Sequence, residues 1–497
     1  MMKKINIIGS GFSSLAGACY LAQAGFEVNV FEKNDQIGGR ARLFETNGFK
    51  FDMGPSWYWM PDVFERFFND FGKQTSDYYE LVRLSPAYKV FFEDSTFIDI
   101  PSSVAEIYDL FEKEEPGSAA HLKSFLKEAE YNYEVAIKDL VYKPGLSPIE
   151  LVTPQTVTKL NQFVATIRQK VRKRFKSEKL IQILEFPVLF LGAKPQDTPA
   201  FYSFMNYADF VLGTWYPQGG MYKIVEAFQT LAESLGVKIH THSPVEQIIT
   251  RDGKAIGLMI NGKAHHADII LSGADYHHTE TLLDQKDRVY SEKYWSKKTF
   301  APSALLFYVG FDQKLSNLTH HNLFFDKSFD AHAVEIYDQP KWPADPLFYA
   351  SFPSMTDDTV APAGKENGFF LIPLAPDLTG DDEATREKYF NAIMDRMEFH
   401  TGQSIREHIL FKHSYCVADF KKDYHSYKGN AYGMANTLRQ TAFLRPSIKS
   451  KKVENLYFTG QLTVPGPGVP PALISGKIVA EQIIKTMTKN PKYVVDI

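Results

Sequence analysis

The chain opens on Ile5-Asn6-Ile7-Ile8, a short apolar run that predicts a strand buried on both faces of a parallel sheet. Gly9-Ser10-Gly11 follows at once, and positions from Leu15 to Ala24 then carry helical spacing that closes on Gly25. Glu27-Val28-Asn29-Val30-Phe31 predicts the next strand, which stops at Glu32. Much later, Met221 to Leu235 again has helical spacing and leads to a strand near Val237 to Thr241. Val245 to Thr250 and Ala255 to Ile260, separated by Asp252-Gly253, read as a hairpin, with a further strand at Ala267 to Leu271. Strands alternating with helices in this way predict an α/β fold.

A different pattern occupies the middle. Leu160, Phe163, Val164, Ile167, Val171 and Phe175 recur at three- and four-residue steps, which predicts an amphipathic helix. Arg168, Lys170, Arg172, Lys173, Arg174, Lys176 and Lys179 lie along its polar sides. A solvated basic face and a face docked on an anionic membrane both fit that pattern. The runs Leu184 to Leu191 and Phe201 to Phe210 are aromatic and poor in charge, which suits core or cavity lining.

The strand, glycine turn, helix and second strand at the N-terminus stand in the register of a dinucleotide-binding βαβ unit, with the acidic Glu32 about twenty residues beyond the glycines. Gly9 permits the tight turn, Gly11 lets backbone N–H groups approach a pyrophosphate, and the helix start at Phe12 and Ser13 supplies partial positive charge. Glu32 can accept hydrogen bonds from ribose hydroxyls. Ser14 stands where the pattern has its third glycine. The same stretch, Met-Met-Lys-Lys and an apolar run ending in Ala22-Gln23-Ala24, imitates a secretory signal, but the glycine spacing and Glu32 argue for the nucleotide unit.

Composition narrows the partners. Among 497 residues, 55 Lys and Arg stand against 59 Asp and Glu, so no basic excess points to nucleic acid. Aromatic residues make up 14% of the chain, enough to line a long apolar cavity as well as a core. Cys19 and Cys416 cannot build a disulfide framework, which suits a reducing cytoplasm. No apolar run reaches membrane-spanning length. The adjacent pairs His277-His278 and His320-His321 lack a matched ligand set, so no metal is expected.

Lys33 through Gly38-Gly39-Arg40-Ala41-Arg42 offers a second close backbone approach and two cations just beyond the ribose acid. Here the chain resembles the FAD-binding superfamily of amine oxidases, protoporphyrinogen oxidases and carotenoid desaturases. Phe51-Asp52-Met53-Gly54-Pro55-Ser56 resembles the signature of bacterial phytoene desaturases more specifically. The likeness continues at Glu114 to Ser118, at Gly213 to Met221, and from Leu456 through Gly460 to Pro470. Val464, Pro467 and Pro471 depart from the pattern of many members, which carry His before the Pro-Gly and smaller residues at the other two positions.

The resemblance implies a Rossmann-like FAD-binding domain of the glutathione-reductase and amine-oxidase type, built from residues near 1–75, 215–280 and 430–497. A discontinuous α+β region at 76–214 and 281–429 is left for substrate and membrane. It implies FAD as cofactor, with Gly54, Pro55, Ser56, Gly219 and Gly220 near the flavin, Val245 at the adenine end, and Gly460, Gly468, Val469 and Pro470 closing over the ribityl chain and ring. It implies a desaturase, phytoene desaturase first, that takes hydride from a lipid-soluble polyene, with quinone or O2 as acceptor, at the inner face of the cell membrane. Trp57-Tyr58-Trp59-Met60 follows the flavin-linked segment directly and could face a tunnel or its entrance. Glu150 is the candidate proton acceptor, standing roughly where related desaturases carry an acidic residue. A hydroxycarotenoid 3,4-desaturase, a carotene isomerase, a flavin amine oxidase and a prenyl-binding chaperone of the same fold remain alternatives.

Overall fold

Lys4–Ile8 is the central strand of a five-stranded sheet, parallel throughout, in the order Leu456–Phe458, Ile269–Ser272, Lys4–Ile8, Glu27–Phe31, Lys238–His240. The structure is a computed structural model and describes residues 2–138, 140–151, 165–437 and 439–489. Ile5, Ile7, Ile269 and Leu271 are fully buried, as strands covered on both faces require. Helix Phe12–Gln23 packs against helices Tyr222–Ser234 and Val469–Lys489, so the end of the chain closes over its beginning. The approach of the last helix is close: a β-carbon on Gly476 would stand 2.4 Å from the Ser13 carbonyl oxygen.

The expected hairpin is present as Val245–Arg251 against Lys254–Ile260, joined through Asp252 and Gly253, both at positive φ, and extended by Lys263–His266. A second large sheet has seven strands in the order Ile409–Tyr415, Ser303–Phe311, Glu366–Leu374, Phe348–Ser351, His321–Phe325, Tyr88–Phe92, Phe97–Ile100. All its pairings are antiparallel except His321–Phe325 with Tyr88–Phe92. Every residue of Ser303–Phe311 is buried, so this sheet divides two packed layers. One apolar cluster runs from Ile5 of the parallel sheet to Leu323 and Tyr349 of the mixed sheet. The two regions therefore share a core.

The apolar side of the amphipathic pattern packs into the core. Leu160, Phe163 and Val164 lie outside the described residues. The helix covers Ile167–Arg172, capped by Thr166, and Ile167, Val171 and Phe175 are buried in the common core. Four of its cations are paired within the protein: Arg168 with Asp330 and Glu185, Lys170 and Arg174 with Glu128, and Arg172 with Glu178 and Glu185. Among the described residues no helix is long and apolar enough to cross a membrane.

Candidate flavin and substrate cavity

A single cavity of about 650 Å³ reaches from the parallel sheet to the mixed sheet. Its first end is built by the N-terminal turn. Gly9 has φ +83°, and the helix that follows begins with no side-chain cap and no acidic residue in its first turn, so its N–H groups stay available to an anion. Glu32 is only 5% exposed and is held in place: one oxygen accepts from Ser10 N and Oγ at 3.0 and 2.7 Å, the other from Asn34 N at 3.0 Å. A carboxylate has about four acceptor sites, so capacity remains for ribose hydroxyls.

The Gly38-Gly39 turn lies directly on the first one. Gly38 N donates to the Ser10 carbonyl at 3.0 Å, and both glycines adopt positive φ. Arg40 lines the cavity beside them. Its Nη2 donates to Ser426 Oγ and the Asn430 carbonyl, burial lowers its pKa, and its buried Nε has no partner among the described residues. An orphaned guanidinium nitrogen beside a bed of glycines and a free helix start is what a pyrophosphate would complete. Arg42 is instead committed to Asp423.

Gly9, Gly11, Phe12, Ser13, Glu32, Lys33, Gly38, Gly39, Arg40, Gly54, Pro55, Ser56, Val245, Gly460, Gly468, Val469 and Pro470 all line this cavity. Three expected positions lie outside its lining. Ser14 packs away from it, against Gly273, where an added β-carbon would stand 2.0 Å from Ser14 Oγ. The close contact expected of a third glycine on the helix is thus made possible by a glycine on the neighbouring strand. Gly219 and Gly220 form a left-handed turn, at φ +90° and +99°, that carboxylates occupy. Gly219 N donates to Asp357 at 2.6 Å, and Asp52 caps the next helix by accepting from Met221 N and Tyr222 N at 2.8 and 2.9 Å. The glycine pair therefore serves the turn, and burial pushes the Asp52 carboxyl up to about 6.

Beyond Ser56 the lining becomes apolar. Trp57, Trp59 and Met60 face the cavity, while Tyr58 is buried behind them with its hydroxyl 2.9 Å from that of Tyr79. Trp57 stacks on His321 with ring centroids 4.2 Å apart and planes within 11°. Phe186, Phe201, Phe204 and Met205 from the charge-poor stretch join Leu306, Leu323, Phe325 and Leu371 of the mixed sheet. His332 is in this wall with both ring nitrogens engaged, by the Pro373 carbonyl at 2.9 Å and Leu347 N at 3.1 Å, and burial lowers its pKa to about 4. Lys194 is held by Asp197 and Asp338.

Glu150 lines the cavity, but its two oxygens accept the Gly145 and Leu146 N–H groups of its own loop at 2.8 and 3.1 Å. His321 opens a strand of the mixed sheet and His320 precedes it, bonded to Tyr349 and Thr356 respectively, and His277 pairs with Glu292. Several lining residues come from segments that carry no sequence signal, among them Asn436, Tyr337 and Tyr432. Neither tyrosine hydroxyl has a hydrogen-bond partner among the described residues.

Residues 13–484 match the flavin-containing amine oxidoreductase family. The chain is 42% identical to a carotenoid 3,4-desaturase of Haloarcula japonica over 485 residues, covering 97% of this chain and 98% of that one. It is 32% identical to a zeta-carotene-forming phytoene desaturase of Myxococcus xanthus, covering 97% of this chain and 94% of that one. An oxidoreductase from Methanosarcina mazei shares the fold, with a TM-score of 0.62 at 17% identity over 96% of this chain and all of that one. A nucleotide bed opening into an apolar channel, together with relatives that match nearly end to end, places this chain in the flavin-containing amine oxidoreductase family among its carotenoid desaturases, with FAD as its cofactor.

Proposed function

We propose that the enzyme introduces double bonds into phytoene, a long isoprenoid with saturated CH2–CH2 units between its double bonds. The observation that carries this reading is the continuity of the cavity: the residues that fit a dinucleotide and the aromatic channel belong to one space. Bound FAD would supply the two-electron acceptor at their junction. The chain's own contribution is orientation and dryness. Trp57, Trp59 and Phe186 would flank a hydrocarbon with largely apolar surface, and the Trp57–His321 stack fixes the Trp57 ring in the channel wall. Charge left on the substrate after hydride loss spreads over the polyene, so the proton needs only a modest acceptor. Glu150 stays a candidate for it through its place in the lining, with its two oxygens accepting the Gly145 and Leu146 N–H groups of its loop.

We also propose that the enzyme works at a lipid surface on the cytoplasmic side. Leu146 and Ile149 are 60% and 77% exposed on the loop whose Gly145, Ser147 and Glu150 line the cavity. A β-carbon on Gly145 would stand 3.4 Å from the Ala442 carbonyl oxygen, and the Ala442 loop exposes Leu444. Apolar side chains at the rim of an apolar channel suit the delivery of a substrate dissolved in lipid. The two buried free cysteines suit a reducing compartment. Quinone or O2 would then reoxidise the cofactor.

A second reading is supported by the higher identity to the carotenoid 3,4-desaturase and by Tyr337 and Tyr432 in the channel wall, whose hydroxyls, without a hydrogen-bond partner among the described residues, could hold a hydroxyl group on an already conjugated chain. Product spectra separate the two. Incubation with phytoene in liposomes, with and without quinone, is expected to yield absorption at longer wavelength. A colourless phytoene reaction beside conversion of a hydroxylated carotene would select the second reading.

A further inference from the structure

Arg445 is 5% exposed, and its hydrogen-bond partners are all neutral. Its Nη1 donates to the Gln461 carbonyl at 3.1 Å, its Nη2 donates to the Met434 carbonyl at 2.9 Å and to Asn436 Oδ1, and its Nε has no partner among the described residues. The titratable groups that face it are Tyr202, Tyr294 and Lys298, and among the described residues no carboxylate forms an ion pair with it. Arg396 and Arg386, by contrast, are matched, by Asp326 and Asp381. A buried cation without a counter-ion is strongly unfavourable unless something else brings negative charge to it. Burial lowers the Arg445 pKa only to about 10, so the charge persists at neutral pH.

The position of Arg445 indicates what that something is. A β-carbon on Gly466 would stand 2.8 Å from Asn436 Oδ1 and 3.1 Å from Arg445 Nη2, so the loop after Gly460 lies directly on this pair. Gly460 itself is next to Ser13 Oγ, one step from the helix start that fits the pyrophosphate. Gln461, Pro465, Pro467 and Gly468 then form the cavity wall on the way to the aromatic channel. The order along the wall is thus ribose acid, pyrophosphate bed, Gly460 and then Arg445 behind the loop, where the isoalloxazine of an extended FAD would lie.

We infer that Arg445 is an electrostatic residue of the flavin site, an unneutralised cation behind the 460–471 loop that stabilises the negative charge the ring gains on accepting hydride. The substrate C–H bond breaks with its electron pair, the pair and one proton go to the ring, the neighbouring carbon gives up a second proton, for which Glu150 is the candidate acceptor, and the ring is left with one negative charge. Arg445 touches neither substrate nor the reacting atoms, and the inference rests on the FAD site alone, whichever carotenoid is the substrate.

The test uses the full FAD-loaded chain and sulfite, which adds to the flavin and places negative charge on the ring. Arg445→Met is expected to weaken sulfite binding roughly tenfold or more and to lower the flavin midpoint potential, whereas Arg445→Lys keeps both near the parent values. Asn436→Asp sets a carboxylate beside the intact arginine and is expected to act in the same direction as Arg445→Met, which covers the case in which that variant fails to fold. Folded Arg445→Met or Asn436→Asp protein with unchanged sulfite affinity and potential would overturn the inference. So would a Lys variant as impaired as the Met one, since that pattern belongs to a purely structural arginine.

Discussion

A β-carbon on Gly39 would stand 3.3 Å from the Cα of Gly11, so two glycine turns far apart in sequence make one side-chain-free bed. Gly39 also has φ +59°, a conformation that costs an L-residue about 1–2 kcal/mol. Gly39→Ala should therefore separate the turns and weaken FAD binding by about tenfold or more. Fluorescence titration of apoprotein with FAD checks this, and unchanged affinity would show that the bed is not the nucleotide site.

The contact between Ser14 and Gly273 predicts a coupling. Gly273→Ala should destabilise the protein by about 1–3 kcal/mol through overpacking against Ser14 Oγ. Ser14→Gly removes a hydroxyl that is buried and without a partner among the described residues, and in the double variant it should restore most of the loss. Thermal melting of the four proteins measures the cycle. Additive losses would mean that the two sites do not share the contact.

Asp209 predicts a pH dependence. It is buried, accepts from Tyr88 Oη at 2.8 Å, and burial raises its carboxyl to about 8. Below about pH 4 both folded and unfolded chains hold the proton. Between there and the folded value only the native state keeps it, so stability falls as pH rises, by up to about 1.4 kcal/mol per unit, and the fall levels off above the folded pKa. Asp209→Asn removes this term, so its stability relative to the parent should climb with pH across that window. A constant difference between the two melting curves at all pH values would contradict the assignment.

Liposome sedimentation separates two surfaces. Leu146→Glu with Ile149→Glu should reduce binding to anionic vesicles, because these side chains are exposed at the cavity rim. Replacing Arg172 and Arg174 by Gln should have a smaller effect, because Glu178, Glu185 and Glu128 already engage those cations. The reverse ranking would return the docking surface to the basic helix.

The parts of this molecule that were legible in its sequence are those whose physics is local. Residues 4–32 specify strand, turn, helix and strand within one short segment, and the Asp252-Gly253 hairpin is equally self-contained. Gly219-Gly220 stood out only through the family resemblance, which put it near the flavin; which groups its turn meets is tertiary, and Asp52 and Asp357 answer it. The periodicity around Ile167 showed an apolar face without showing that Glu128, Glu185 and Asp330 neutralise the opposite one. Tyr337, Tyr432 and Arg445 carried no signal, because a lone polar residue means something only once its neighbours are known.

The central claim is that the nucleotide bed and the aromatic channel act as one site on a hydrocarbon. Its most direct test is anaerobic mixing of FAD-loaded protein with phytoene in liposomes, following flavin absorbance in a single turnover. Bleaching of the flavin in step with the appearance of a longer conjugated chromophore is the result predicted. A flavin that stays oxidised while phytoene is demonstrably bound would contradict the account.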